Sequence, residues 1–213
     1  MKNMRVRLTM LEETLGMMPS DKDICETYIA GNAPDAKSMA EEIEAIGVDA
    51  FVEKQKTIFP KMPDGTPFFW DYQLRGMFKD SIGMLRKVPN SPCSKLKAYK
   101  KAVDGLLFVK ERKVPIHVSG PMGDCQRPLR TSGPSGERVA LAHSETVPAG
   151  SYIEFTIEMW TDDLEPVVRQ CLDYGTRRGL GQWRNSGKGI FEWKEIDETT
   201  GNVIGGNRSE SVA

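Results

Sequence analysis

The run Arg177-Arg-Gly-Leu-Gly-Gln-Trp-Arg-Asn-Ser-Gly-Lys-Gly189 gathers four glycines, four cations and a tryptophan in one short stretch. Gly179, Gly181, Gly187 and Gly189 let successive backbone N–H groups turn into one concavity and let a phosphate backbone come close. Arg177, Arg178, Arg184 and Lys188 would neutralise charge there, Asn185 adds a polar group, and Trp183 offers a ring on which a base can stack. The chemistry is anion binding, and single-stranded nucleic acid suits it. The bland reading of the same residues is a tight glycine-rich hairpin beside a core tryptophan. Two nucleotide motifs fail. A Walker A loop needs G-x(4)-G-K-[S/T] opening a helix, whereas Gly181 to Gly187 is one residue too long and Gly189 stands where Ser or Thr should be. G-x-G-x-x-G fails because Arg184 takes the third glycine's place.

Acid–base chemistry has few candidates. The only histidines are His117, on an apolar strand beside Pro115 and Ile116, and His143, within Ala140-Leu-Ala-His-Ser. Either could act as a general base near neutral pH, but for both the structural reading is the stronger one. Asp21 and Asp23 follow the first strand, in a stretch crowded with carboxylates and without a local motif. Cys25, Cys93, Cys125 and Cys171 are scattered, with no C-x-x-C pair, so they read as reduced thiols. No catalytic set, metal site or cofactor is signalled.

The elements that must position these groups follow from periodicity. Residues 5–11 alternate polar and apolar, as a half-buried strand does. From Pro19 to Glu53 the chain is strongly acidic, with a short helix expected over Asp35 to Ile46 and a strand over Phe51 to Phe59. After a turn-rich connection through Asp64-Gly65, Asp71 is expected to cap a helix with Leu74, Phe78, Ile82 and Leu85 on one side and the cations Arg75 and Lys79 elsewhere. Arg86 to Lys113 is the most basic stretch. Strand pieces follow over Gly105 to Val118, then a long loop from Gly120 to Gly136 and a strand over Arg138 to Glu145. Ser151 to Met159 alternates as a strand, Thr161-Asp-Asp-Leu opens a helix that Gly175 stops, Ile190 to Trp193 is a last strand, and a polar tail runs from 197 to 213.

Composition sets the class. The chain has 213 residues, 39% hydrophobic and 28% charged, with a formal net charge of −1, so it is globular and any polyanion site must be a local patch. The N-terminus lacks the apolar run of a secretory signal, and no membrane-spanning run is present, so a cytoplasmic protein is expected.

In order, the elements give β-α-β-β-α-β, the α+β ferredoxin-like arrangement. Pro63-Asp-Gly-Thr-Pro-Phe-Phe-Trp-Asp-Tyr-Gln-Leu-Arg-Gly-Met-Phe-Lys79 resembles the entry to the first helix of RAMP-superfamily proteins, the RNA-binding subunits and RNA-processing endoribonucleases of CRISPR systems. Val147-Pro-Ala-Gly-Ser-Tyr-Ile-Glu-Phe-Thr-Ile157 is similar to their third core strand and its preceding turn, and Arg178 to Phe191 to their glycine-rich loop and last strand. Trp70-Asp71-Tyr72 departs from the family's small turn, and Gln182 to Ser186 is longer than its usual loop, which suggests a divergent or stand-alone member, of host or phage origin.

The resemblance implies one domain over residues 1–196, with insertions at about 17–60 and 88–136. It also implies single-stranded RNA on the sheet face and glycine-rich loop, with Gly179, Gly181, Gly187 and Gly189 as the backbone cradle. Arg75, Lys79, Arg177, Arg178, Arg184 and Lys188 would then be the cations. The expected role is a non-catalytic RNA-binding subunit of a CRISPR-type or phage ribonucleoprotein, partnered by RNA and by other subunits or copies of itself. Two alternatives stay open: a metal-independent endoribonuclease, and a protein-interaction factor that mimics a CRISPR subunit.

Overall fold

The computed structural model describes residues 1–19, 56–133 and 136–207. The expectations for the acidic insert, including Asp21, Asp23 and the helix over 35–46, lie outside the described residues.

Strand β1 (Lys2–Met10) shows how a period of two builds the core: Met4, Val6, Leu8 and Met10 are buried, while Arg5, Arg7 and Thr9 stay partly exposed on the other face. It pairs antiparallel with β10 (Tyr152–Met159) on one side and β11 (Phe191–Ile196) on the other. Next to β10 lies an interrupted strand made of β6 (Leu107–Val109) and β7 (Lys113–His117), and β5 (Phe68–Trp70) pairs with β7. Helices α1 (Asp71–Leu85) and α4 (Leu164–Arg178) follow β5 and β10. Their buried residues, among them Leu74, Phe78 and Ile82 of α1 and Val168, Cys171 and Leu172 of α4, join the inward residues of β1, β10 and β11 in one hydrophobic cluster. This is an α+β, mostly antiparallel architecture compatible with the ferredoxin-like arrangement.

Three local expectations change. Asp71 is the first residue of α1, and Trp70 is its cap: the Trp70 backbone N–H donates to Gln73 Oε1 at 2.9 Å. The long loop expected over Gly120 to Gly136 is strand β8 (Gly123–Gly133), paired residue for residue with β9 (Gly136–Val147). Among the described residues β8 pairs with β9 alone, and at such an edge its glycines and Pro128 need not break a ladder. Finally, the sequence beyond 196 carries strand β12 (Val203–Gly206), which returns along β11. The reversal is made by Asp197, whose carboxylate accepts from the backbone N–H groups of Thr199 and Thr200, and by Gly201 at φ +70°.

The hairpin β8–β9 belongs to a second sheet, in which β9 also pairs with β2 (Thr14–Leu15) and β4 (Thr57–Ile58), and β4 with β3 (Met18–Pro19). Short helices α2 (Pro92–Lys95) and α3 (Tyr99–Leu106) link α1 to β6. No helix among the described residues is long and apolar enough to cross a membrane.

Candidate nucleic-acid interface

Pleating sends alternate side chains of the main sheet away from the helices, and the register decides which of them meet. Thr9 of β1 lies opposite Tyr152 of β10, and Tyr152 opposite His117 of β7. The His117 imidazole stacks on the Tyr152 ring with centroids 4.5 Å apart and planes within 12°. From the β1 side the Arg7 guanidinium lies 4.9 Å from the same ring's centroid. Arg7 is fixed there by Glu154: Arg7 Nε donates to Glu154 Oε1 at 2.7 Å, and Arg5 Nη2 to Oε2 at 3.0 Å. Burial acts to raise the Glu154 pKa, but the hydrogen bonds from Arg7 and Arg5 outweigh it and hold the carboxyl below its ordinary range.

Aromatic and cationic groups continue along this face. Trp70 pairs with Lys113 and Phe68 with Pro115, so both rings share the His117 side of the sheet. Lys113 Nζ lies 5.2 Å from the Phe68 centroid and 5.5 Å from that of Trp70. Trp70 stacks on Tyr72, planes within 14°, and Arg112 sits over both rings while pairing with Asp71. His117, Tyr72, Arg112 and Lys113 are exposed. The result is two stacked ring pairs, His117–Tyr152 and Trp70–Tyr72, with the buried Phe68 edge-on to Trp70 and cations alongside; exposed rings beside cations are the kind of surface that suits unpaired bases and their phosphates.

The glycine-rich loop leaves the sheet at the Tyr152 end, since Met10 pairs with Phe191 and the Leu11 N–H donates to Ile190 O at 2.8 Å. Gly179, Gly181, Gly187 and Gly189 all have positive φ, between +70° and +89°. Their freedom serves mainly the protein's own backbone. A Cβ on Gly189 would meet Leu180 O, one on Gly179 would meet Lys188 O, and one on Gly181 would meet Leu15 O, whereas one on Gly187 would stand in open space.

The loop cations are tied down. Arg184 Nη1 and Arg178 Nε both donate to Asp80 Oδ2 of α1, at 2.7 and 3.1 Å, and Arg178 Nη1 donates to Asn185 Oδ1 at 2.8 Å. Burial acts to raise the Asp80 pKa, but these two arginines prevail and hold it below the ordinary carboxylate range. Lys188 pairs with Glu13 at 2.6 Å, and that hydrogen bond lifts its pKa above the usual lysine value. Arg177 is exposed at the end of α4. Arg75 pairs with Asp71 and Lys79 with Asp104, neither of them a loop residue. Trp183 stands at φ +54° and is 40% exposed, with the guanidinium of Arg127, from β8, 5.3 Å from its ring centroid.

Of the catalytic candidates, His117 and His143 lie among the described residues. His117 belongs to the ring stack, and His143 is buried on β9 opposite Gln126, its Nε2 3.9 Å from Asp124 Oδ1. Among the described residues no three His, Cys, Asp or Glu side chains come together in a way that could hold a metal ion.

Sequence reasoning missed the ring pairs and Arg127. The basic stretch ending at Lys113 pointed to two of the cations beside them, but the pairing of β5 with β7 carries no local signal.

No family model matches the chain, and no curated protein matches it. Two solved structures that resemble it are chains of CRISPR complexes. One, from a Type III-B Cmr-beta complex bound to cognate target RNA, is 10% identical over 92% of this chain with a TM-score of 0.47; this chain spans 60% of its length. Another, from a Type IV-B CRISPR complex, is 12% identical over 99% of this chain and 97% of that one, with a TM-score of 0.45. Likenesses this loose fix neither topology nor activity, and the functional reading rests on the residues themselves.

Proposed function

We propose that this protein binds single-stranded RNA, without cleaving it, on the open face of its main sheet and the adjoining glycine-rich loop. The observation that carries the reading is the exposed imidazole of His117 lying flat on Tyr152, with Arg7 on the ring's other flank. Tyr152 supports one face of His117, so the other face of the imidazole takes a base. Arg7, Arg112 and Lys113 meet the phosphates. The ferredoxin-like order and the resemblance of residues 63–79, 147–157 and 178–191 to RAMP-superfamily proteins support the same reading and favour a role as a subunit of a CRISPR-type ribonucleoprotein.

The test is a filter-binding titration of labelled single-stranded RNA with wild type and His117→Ala, the same samples being run on a denaturing gel. Loss of one stacked base costs about 1–3 kcal/mol, so His117→Ala is expected to weaken binding by roughly fivefold or more while the strand stays intact. Unchanged affinity in His117→Ala overturns the sheet-face reading. Cleavage by the wild type that vanishes in His117→Ala or His143→Ala makes the protein an endoribonuclease, and failure of the wild type to bind any strand points to a protein partner.

A further inference from the structure

Arg127 is 8% exposed, yet it forms no ion pair among the described residues. Its Nη2 donates to Gln182 Oε1 at 2.8 Å, and Gln182 is itself anchored by donating to Gly16 O at 2.9 Å. The buried Nε and Nη1 have no hydrogen-bond partner. A guanidinium cannot escape burial by losing its proton, so an orphaned one is a standing cost to the free protein. The Nε and Nη1 hydrogens point to opposite sides of the guanidinium, so each needs its own acceptor, and a phosphate oxygen is a strong one.

The surroundings add to the demand for an anion. Arg127 lines a cavity of about 320 Å³ together with Arg178, Arg184, Asn185 and Trp183. Arg178 and Arg184 share the one carboxylate of Asp80, so the site carries more guanidinium charge than its acid can balance. Trp183 covers Arg127 from a left-handed backbone conformation that bulky residues rarely adopt.

We propose that this cavity is a nucleotide subsite in which a phosphate oxygen binds Nη1 of Arg127, flanked by Arg178 and Arg184, while the attached base lies against Trp183. Nη1 is shielded in the free protein, so the Trp183 ring swings off the guanidinium as the phosphate enters. The inference deepens the RNA-binding reading by adding a second contact point at the loop, and rests on it where the nucleotide belongs to a strand. A free mononucleotide offers the same chemistry.

The experiment titrates the full-length protein with inorganic phosphate, uridine, uridine 5′-monophosphate and a single-stranded uridine decamer, following heat of binding and tryptophan fluorescence. Wild type is compared with Arg127→Gln, Trp183→Ala and His117→Ala. The monophosphate is expected to bind at least about tenfold more tightly than phosphate or uridine alone, with a change in fluorescence. Arg127→Gln is expected to weaken its ligand by about tenfold or more without lowering Tm, because an uncompensated buried charge has been removed.

Dependence on Arg127 for the decamer identifies a strand as the ligand, and dependence for the monophosphate alone identifies a free nucleotide. Wild-type affinity of Arg127→Gln for both overturns the inference; the sheet-face reading then survives if His117→Ala still weakens decamer binding and falls if it does not. A monophosphate bound no more tightly than inorganic phosphate also overturns it. Should Arg127→Gln fail to fold, Trp183→Ala decides: its change is at an exposed side chain, and unchanged affinity for both ligands overturns the inference.

Discussion

The carbonyl oxygen of Leu180 lies 1.8 Å from the point where a Cβ on Gly189 would stand. The Leu180 N–H donates to Gly189 O at 2.8 Å, so the two ends of the glycine-rich loop are clamped backbone to backbone. Gly189 is there because no side chain fits, whatever the loop binds. Gly189→Ala therefore meets both the left-handed penalty of about 1–2 kcal/mol and an overlap costing about 1–3 kcal/mol more. Gly187, at φ +83° with nothing within 4 Å, meets only the first. Urea denaturation of the two variants measures the difference, and equal losses would show that the clamp does not hold the loop.

Asp80 gives the loop an acid-labile anchor. Because the folded-state pKa is lowered, the stabilisation is fully present above the ordinary aspartate range, near pH 4, and is lost as pH falls through the lower folded value. The Asp80 side chain is 34% exposed, so solvent screens the pair and Asp80→Asn is expected to cost about 0.5–1 kcal/mol at neutral pH. Melting curves from pH 7 down to pH 2 should show the gap between wild type and variant closing at the acid end. A gap that stays constant would mean that the anchor does not depend on the carboxylate's charge.

Lys113 tests the electrostatic half of RNA binding. It is exposed, and its ammonium faces Phe68 and Trp70 rather than a carboxylate. Lys113→Ala should reduce the slope of log affinity against log salt by about 0.7, the share of one phosphate contact on a single strand. Its unfolding free energy should stay within about 0.5 kcal/mol of wild type, as for other surface changes. An unaltered slope would remove Lys113 from the phosphate path.

Much of the framework was legible because it rests on local periodicity. The alternation in β1 and β10, the apolar stripe of α4 and the glycines of residues 179–189 each depend on residues close in the chain, where sterics and pleating act directly. Strand β8 was hidden because Gly and Pro128 read as a loop, and among the described residues it pairs with β9 alone, where they are acceptable in a ladder. Strand β12 was hidden for a related reason: Val203 and Ile204 are exposed, so no buried face announces the strand.

The sequence by itself determined which side chains β1 and β10 send to which face, and that residues 177–189 make a charged, glycine-rich turn. Only the tertiary structure decided what those side chains meet. Strand register brings His117 onto Tyr152 and Lys113 onto Trp70, and it is set by hydrogen-bond ladders between segments far apart in the chain. The packing of β8 beside the loop buries Arg127 under Trp183, and α1 spends the charge of Arg178 and Arg184 on Asp80. Periodicity is a property of one segment, whereas a stacked pair, a shared carboxylate and an unpaired buried guanidinium are properties of two or three segments brought together by the core.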